Sequence, residues 1–123
     1  MTPEEMKRRL KAFALRCLKL AAAFPKTPAG QAIGRQLIRA STGAAANYRA
    51  ACIARSRADF ASKLGVVEEE ADETVFWIDL FADAGLVRRK RVESLLAEGG
   101  EILAIVIASR KTAKKPLGPQ GRT

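Results

Sequence analysis

The chain contains no histidine. That removes the commonest general base and the commonest metal ligand. It also excludes a Ser-His or Cys-His catalytic arrangement within one chain. Cysteine is scarce as well. Cys17 and Cys52 both sit inside helical patterns, where buried free thiols are the simpler reading and a disulfide the lesser one. Two isolated cysteines without histidine give no expected zinc site, and no cofactor is expected either. Aromatic residues make up 6% of the chain, and Tyr48 and Trp77 do not form the kind of stacking platform that single-strand binders use. The longest apolar run, Ile102 to Ala108, is far shorter than the ~20 residues of a membrane span. No basic–apolar–small signal peptide opens the chain, so a cytoplasmic location without a membrane partner is the expectation. No internal repeat of 20 to 50 residues is present.

What remains is a small, strongly basic protein. A length of 123 residues implies one domain, and a domain of this size buries roughly 65 to 70% of the surface its unfolded chain exposes. The net charge of +9 is unevenly placed: residues 1–57 carry +10, residues 58–87 carry −7, and residues 88–123 carry +6. A basic balance of this size points to nucleic acid or another polyanion as partner. A solvated basic surface is the plainer alternative.

Hydrophobic spacing predicts four helices. The first runs from about Pro3 to Ala23, with Thr2 as N-cap, Pro3 at the first helical position and Glu5 completing a capping box. Its apolar positions are Met6, Leu10, Phe13, Cys17, Leu20 and Phe24, spaced by four and three. The second begins on Thr27-Pro28 and extends to about Ala54, with an apolar line of Ile33, Leu37, Ala40, Ala44, Asn47 and Ala51. Asn47 in that line reads as a register-setting buried amide. Around Gly43 the residues are small, which predicts a bend or a tight crossing to justify glycine's ~1 kcal/mol helix penalty. Ser56 followed by Asp59 caps the third helix, which carries Phe60, Leu64, Val67, Ala71, Thr74, Ile78 and Phe81 inward and ends at Ala84 before Gly85. Trp77 lies beside this line, placed to pack on a neighbouring helix or another subunit. The fourth helix, from about Arg88 to Arg110, has an apolar face that includes Leu96, Leu103, Ile105 and Ile107. That face is wider than one bundle needs. It reads either as a core face plus an oligomer face or as a fully central helix.

The expected fold is therefore all-α: an antiparallel up-down-up-down four-helix bundle over residues 1–111, crossing near 20°. A disordered basic tail is expected over residues 112–123.

Several segments resemble the bacterial 23S rRNA intervening-sequence protein family. They are Arg39-x-Ser41 with Asn47 six residues later, the junction Ala54-Arg55-Ser56-Arg57-Ala58-Asp59-Phe60, the run Glu70-Ala71-Asp72-Glu73-Thr74, and the apolar fourth helix after Ala84-Gly85-Leu86. The likeness covers about residues 5 to 110 and consists of packing and capping patterns. The resemblance implies a homopentamer of four-helix bundles associated with nucleic acid. The broader superfamily includes the accessory variability determinant proteins of diversity-generating retroelements, which resemble it as basic pentamers that bind a reverse transcriptase and RNA. The sequence departs from the family pattern at Asn47-Tyr48-Arg49-Ala50, where an acid is missing. It departs again at Arg88-Arg89-Lys90-Arg91, where the family is often acidic. Both departures favour polyanion binding.

Nine cations are candidates for phosphate contacts. Arg35, Arg39 and Arg49 fall on one stripe of the second helix, and Arg55 and Arg57 extend it at the next junction. Arginine's planar fork suits phosphate. The same stripe could instead pair with Glu69, Asp72, Glu73 or Asp79 of the third helix. Arg88, Arg89, Lys90 and Arg91 stand at a helix start, where the helix dipole disfavours cations, so an anion or acidic neighbour is expected there. Lys111, Lys114 and Lys115 look like a flexible electrostatic arm. The acidic run from Glu68 to Glu73 lacks the Glu-x-x-His pairs of di-iron bundles and reads as salt bridges plus a solvated face. The expected function is non-enzymatic nucleic-acid binding, RNA preferred, by a homo-oligomer. The alternative is a protein-interaction adaptor, such as the accessory subunit of a retroelement reverse transcriptase.

Overall fold

The computed structural model describes residues 1–116. Among them are four helices and no strand: α1 (Pro3–Ala22), α2 (Pro28–Ala51), α3 (Arg57–Asp83) and α4 (Arg89–Lys114). Local chemistry sets each boundary. Thr2 and Glu5 form the reciprocal capping box, Thr27 accepts from the Gly30 N–H, and Ser56 accepts from the Asp59 N–H. Each satisfies an N–H that the helix itself leaves without a partner. Gly85, at φ +74, ends α3. The Leu86 N–H reaches back to the Phe81 carbonyl and the Gly85 N–H to that of Ala82, the paired bonds of a Schellman motif.

Five residues join each helix to the next, so consecutive helices lie side by side in a four-helix bundle. Around it α1 packs on α2, α2 on α3 and α3 on α4, while α1 and α4 close the ring through a sparser contact. The core holds Leu10, Phe13, Leu37, Leu64, Ile78, Phe81 and Ile102, all fully buried, and each such side chain contributes about 1.5–3 kcal/mol by leaving water. Phe24 stacks on Phe81 with ring centres 3.3 Å apart. Polar ties cross the seams. The Arg9 guanidinium grips the Glu98 carboxylate with two bonds of 2.8 and 2.7 Å and reaches Glu101 at 2.9 Å, joining α1 to α4.

The apolar lines of α1 and α3 are those the spacing predicts, apart from Ala61 taking the place of the half-buried Phe60. The line of α2 differs. It runs Gly30, Gly34, Leu37, Ser41, Ala44, Tyr48, Ala51, with Ala40 beside it. Asn47 is only half-buried, so it is not the buried register-setting amide expected. Tyr48 takes the inward place, because the four–three alternation counts from Gly30 rather than from Ile33. Gly43 lies where Glu70 of α3 crosses α2: a Cβ there would stand 3.1 Å from the Glu70 carboxyl carbon. The tight crossing expected at Gly43 is thus with α3.

α4 also departs from expectation at its end. It continues to Lys114, so residues 112–114 are helical rather than part of a disordered tail. Arg57 holds the continuation by donating to the Thr112 and Lys115 carbonyls at 2.9 and 3.2 Å. The remainder of the expected tail, 117–123, lies outside the described residues. The wide apolar face of α4 is partly covered within the protomer, since Leu96, Leu103 and Ile105 pack against the core. Among the described residues, the large apolar side chains that stay exposed are Met1, Leu15, Ile38, Ile53, Val66 and Phe76, none of them on α4.

Two substitutions test this packing. Ala44, fully buried, has no room for a larger side chain, so Ala44→Leu is expected to lower stability by roughly 1–3 kcal/mol through overpacking, measured by thermal melting. Gly30→Ala is expected to be destabilising although alanine is the better helix former by ~1 kcal/mol. Its Cβ would fall on the Pro25 carbonyl oxygen, with the Pro25 carbonyl carbon and Thr27 Oγ1 both 3.2 Å away. A Gly30→Ala protein as stable as the parent would show that the α1–α2 connection is laxer than described.

Candidate nucleic-acid interface

The nine predicted cations do not form one surface. Arg39 leans onto α3. Its guanidinium bonds the Glu73 carboxylate and reaches Glu70 at 3.3 Å, and this pairing holds the Glu73 carboxyl below the usual carboxylate range. At Arg39 the intramolecular pairing prevails over the open groove. Arg57 is spent on the end of α4, as described. Arg89 bridges Asp79 at 2.8 Å and Asp83 at 2.5 Å. Arg35, Arg49, Arg55, Arg88, Lys90 and Arg91 are exposed, and among the described residues none forms a side-chain ion pair. They too are dispersed. Arg55 and the start of α4 stand at opposite ends of α3, whose 27 residues span roughly 40 Å at 1.5 Å each.

The start of α4 carries three exposed cations, Arg88, Lys90 and Arg91, within four residues. Arg88 is the N-cap and offers no side-chain hydrogen bond to the helix, so the first N–H groups of α4 lack a side-chain cap, and the positive end of the helix dipole adds to the field. Arg91 lines a recess of about 240 Å³ together with Arg16 and Lys19 of α1 and the apolar Leu20, Val92 and Leu95. Arg16 is oriented by a 3.0 Å bond to Ser94 Oγ. Of the acids near in sequence, Asp79 and Asp83 are held by Arg89, while Glu93, two residues beyond Arg91, is exposed. Sequence reasoning missed Arg16 and Lys19. Their i, i+3 spacing puts them on one face of α1, but only the closure of α1 on α4 brings that face to Arg91.

Other recesses are basic as well, among them one of about 380 Å³ that includes Lys26 and Arg35 and two larger ones. One of about 620 Å³ lies between α1 and α2, lined by Lys7, Lys11 and Arg49 above Ala14, Leu15, Leu18, Thr42, Ala45 and Ala46. The other, about 520 Å³, lies between the start of α3 and the end of α4 and includes Arg57, Arg110, Lys114 and Lys115. There Arg110 pairs only at 3.4 Å with Glu68 and leaves its buried Nε without a partner among the described residues.

Five acids of α3, Glu68, Glu70, Glu73, Asp79 and Asp83, pair singly or in twos with arginines, and Asp59 pairs with Lys63. Among the described residues no group of three or more acids and cysteines is placed to hold a metal ion. Among them, too, no helix is long and apolar enough to cross a membrane.

A model of the family described as 23S rRNA-intervening sequence protein matches residues 5–108. The chain belongs to this family. It is also similar to a crystal structure of a protein of unknown function from the S23 ribosomal protein family of Bacteroides thetaiotaomicron. The two chains are 31% identical, with a TM-score of 0.83 over 90% of this chain and 99% of the other. No curated protein matches the chain.

The segments that carry the family likeness are structural in this member. Ser41 is fully buried, Ser56 caps α3, and Thr74, also buried, donates to the Glu70 carbonyl at 2.7 Å. The two cysteines are free, Cys17 buried and Cys52 half-buried. Burial pushes the Cys17 thiol up to about 12, so it stays protonated and unreactive well past neutral pH. Tyr48, buried beside Cys52, is likewise pushed up to about 12, chiefly by burial. A thiol reagent at pH 8 is expected to leave Cys17 unmodified in the native protein and to modify it on unfolding. Rapid native labelling of both cysteines would show that the α1–α2 packing around Cys17 opens readily.

Proposed function

We propose that this family member is a non-enzymatic nucleic-acid-binding protein, RNA preferred, acting as a homo-oligomer. Its protomer is an antiparallel up-down-up-down bundle, and the assembly is a pentamer. The antiparallel reading is supported by the five-residue connections and by cross-helix pairs such as Arg39–Glu73 and Arg89–Asp79, the second of which joins the end of one helix to the start of the next. RNA is preferred because the family description refers to a ribosomal RNA insertion.

The observation that carries the reading is the recess shared by Arg16, Lys19 and Arg91, with Arg88 and Lys90 exposed beside it at the start of α4 and Asp79 and Asp83 neutralised by Arg89. Cations at a helix start oppose the helix dipole, and a phosphate would relieve that opposition while accepting from the free N–H groups of α4. With few aromatics exposed, binding is dominated by phosphate contacts, so it depends steeply on salt and weakly on sequence.

A second reading, a protein-interaction adaptor such as a reverse transcriptase accessory subunit, is favoured by Leu15 and Ile38. These are 52% and 39% exposed on the basic α1–α2 side, where a purely phosphate-binding surface has no use for apolar side chains. A reverse transcriptase encoded beside this gene would select that reading.

The nucleic-acid reading is tested by binding of single-stranded RNA, structured RNA and duplex DNA from about 50 to 200 mM salt. The triple variant Arg88→Gln, Lys90→Gln, Arg91→Gln is expected to bind all of them more weakly. Its log–log salt slope on duplex DNA should flatten by roughly 0.9 for each phosphate it no longer neutralises. Glutamine preserves helix propensity, and Arg89 is left in place to hold Asp79 and Asp83. Absence of binding to every probe at about 50 mM salt, where counterion release is strongest, would remove the proposal.

A further inference from the structure

The α1–α2 groove and the outer face of α3 are complementary, and neither has a partner within the protomer. The groove is rimmed by Lys11 and Arg49, has Leu15 exposed at 52%, and includes no acid among its lining residues. Lys7, also at the rim, is tied to Glu4 at 2.8 Å. Across the molecule, Glu69, Asp72 and Phe76 fall at i, i+3 and i+7 on α3, one stripe of a helix. All three are exposed, Phe76 at 53%. Among the described residues neither Glu69 nor Asp72 forms an ion pair, whereas Glu68, Glu70 and Glu73 on either side do.

Exposed large apolar side chains set among unpaired charges of one sign mark a docking surface. Here the chain carries both halves: an apolar side chain among cations on one side, and an aromatic side chain among acids on another. We propose that the α1–α2 groove of one copy receives the α3 face of a second copy, with Leu15 and Phe76 at the centre and Lys11 and Arg49 facing Glu69 and Asp72. The two surfaces differ, so the contact is head-to-tail and repeats from copy to copy, closing into a ring or propagating as a chain. This assignment rests on the homo-oligomer part of the proposed function. It moves the interface away from α4, and it assigns Arg49 to assembly rather than to phosphate.

A mixing experiment tests it. The groove variant is Lys11→Glu with Leu15→Asp, and the face variant is Glu69→Lys with Phe76→Lys. All four sites are exposed, and circular dichroism melting checks that each variant folds. By light scattering the parent is expected above its 13.3 kDa chain mass, and each variant alone at that mass. An equal mixture is expected to form a species of two chains, because one intact groove and one intact face remain between them. A monomeric parent would overturn both this interface and the homo-oligomer reading. An oligomeric parent whose folded variants keep its mass, or whose monomeric variants do not combine, would overturn the interface alone. A groove variant that keeps the parent's mass but loses RNA affinity would overturn it in favour of RNA as the occupant.

Discussion

Helix α3 is the acidic element of a basic protein, and the bundle is arranged around that fact. The −7 of residues 58–87 lies between segments of +10 and +6. Without α3 between them, the cations of α2 and α4 would repel one another in the compact state. The acids are not spread evenly over these partners. Glu70 and Glu73 take Arg39, Glu68 takes Arg110, and Asp79 with Asp83 takes Arg89. Each exposed pair contributes little stability. Their larger effect is selection: they determine which cations are used internally and which remain available to a partner.

That selection explains why the fold was far more legible in the sequence than the site. Helix starts at Thr2, Thr27 and Ser56 and the stop at Gly85 are local signals, fixed by residues three or four positions apart, and they stand where the sequence places them. The α1 and α3 core lines are equally local. The α2 line slipped at Asn47 because alanine and glycine give hydropathy little contrast, so the register had to be counted from Gly30, whose inward position reflects contact with the Pro25 carbonyl rather than apolar character. The site depends on which helix faces meet. Arg35, Arg39 and Arg49 share a stripe in sequence, yet Arg39 turns to α3 while the other two do not. Arg16 and Lys19 become partners of Arg91 only through the α1–α4 closure, a contact between residues some 75 positions apart.

The small residues of α2 link packing to surface chemistry. Ala45 and Ala46, with Ala14 of α1, leave the α1–α2 side as a groove instead of a ridge. In that groove Lys11, Leu15 and Arg49 stand clear of the floor. On the neighbouring side of α2, Gly43 lets Glu70 lie against the helix and reach Arg39. One run of small side chains thus creates a cation-rimmed groove and sequesters the arginine nearest to it in the stripe.

Self-assembly and phosphate binding would make different demands on the basic surface, and in the readings proposed above different residues would meet each. A docking contact needs apolar area at its centre, which the α1–α2 side combines with cations. A phosphate site needs unpaired cations and free N–H donors, which the start of α4 offers. Were copies to join head-to-tail through the groove, every α4 start would be repeated in a fixed relation to the next. A polyanion long enough to touch two of them would bind the second as an intramolecular event, at a local concentration set by the spacing of the copies. Weak individual clusters of three to five cations would then suffice for tight binding, without an aromatic platform or any base-reading side chain. A protein with 22 lysines and arginines, 6% aromatic residues and no histidine fits that physical arrangement better than it fits sequence-specific recognition by one protomer.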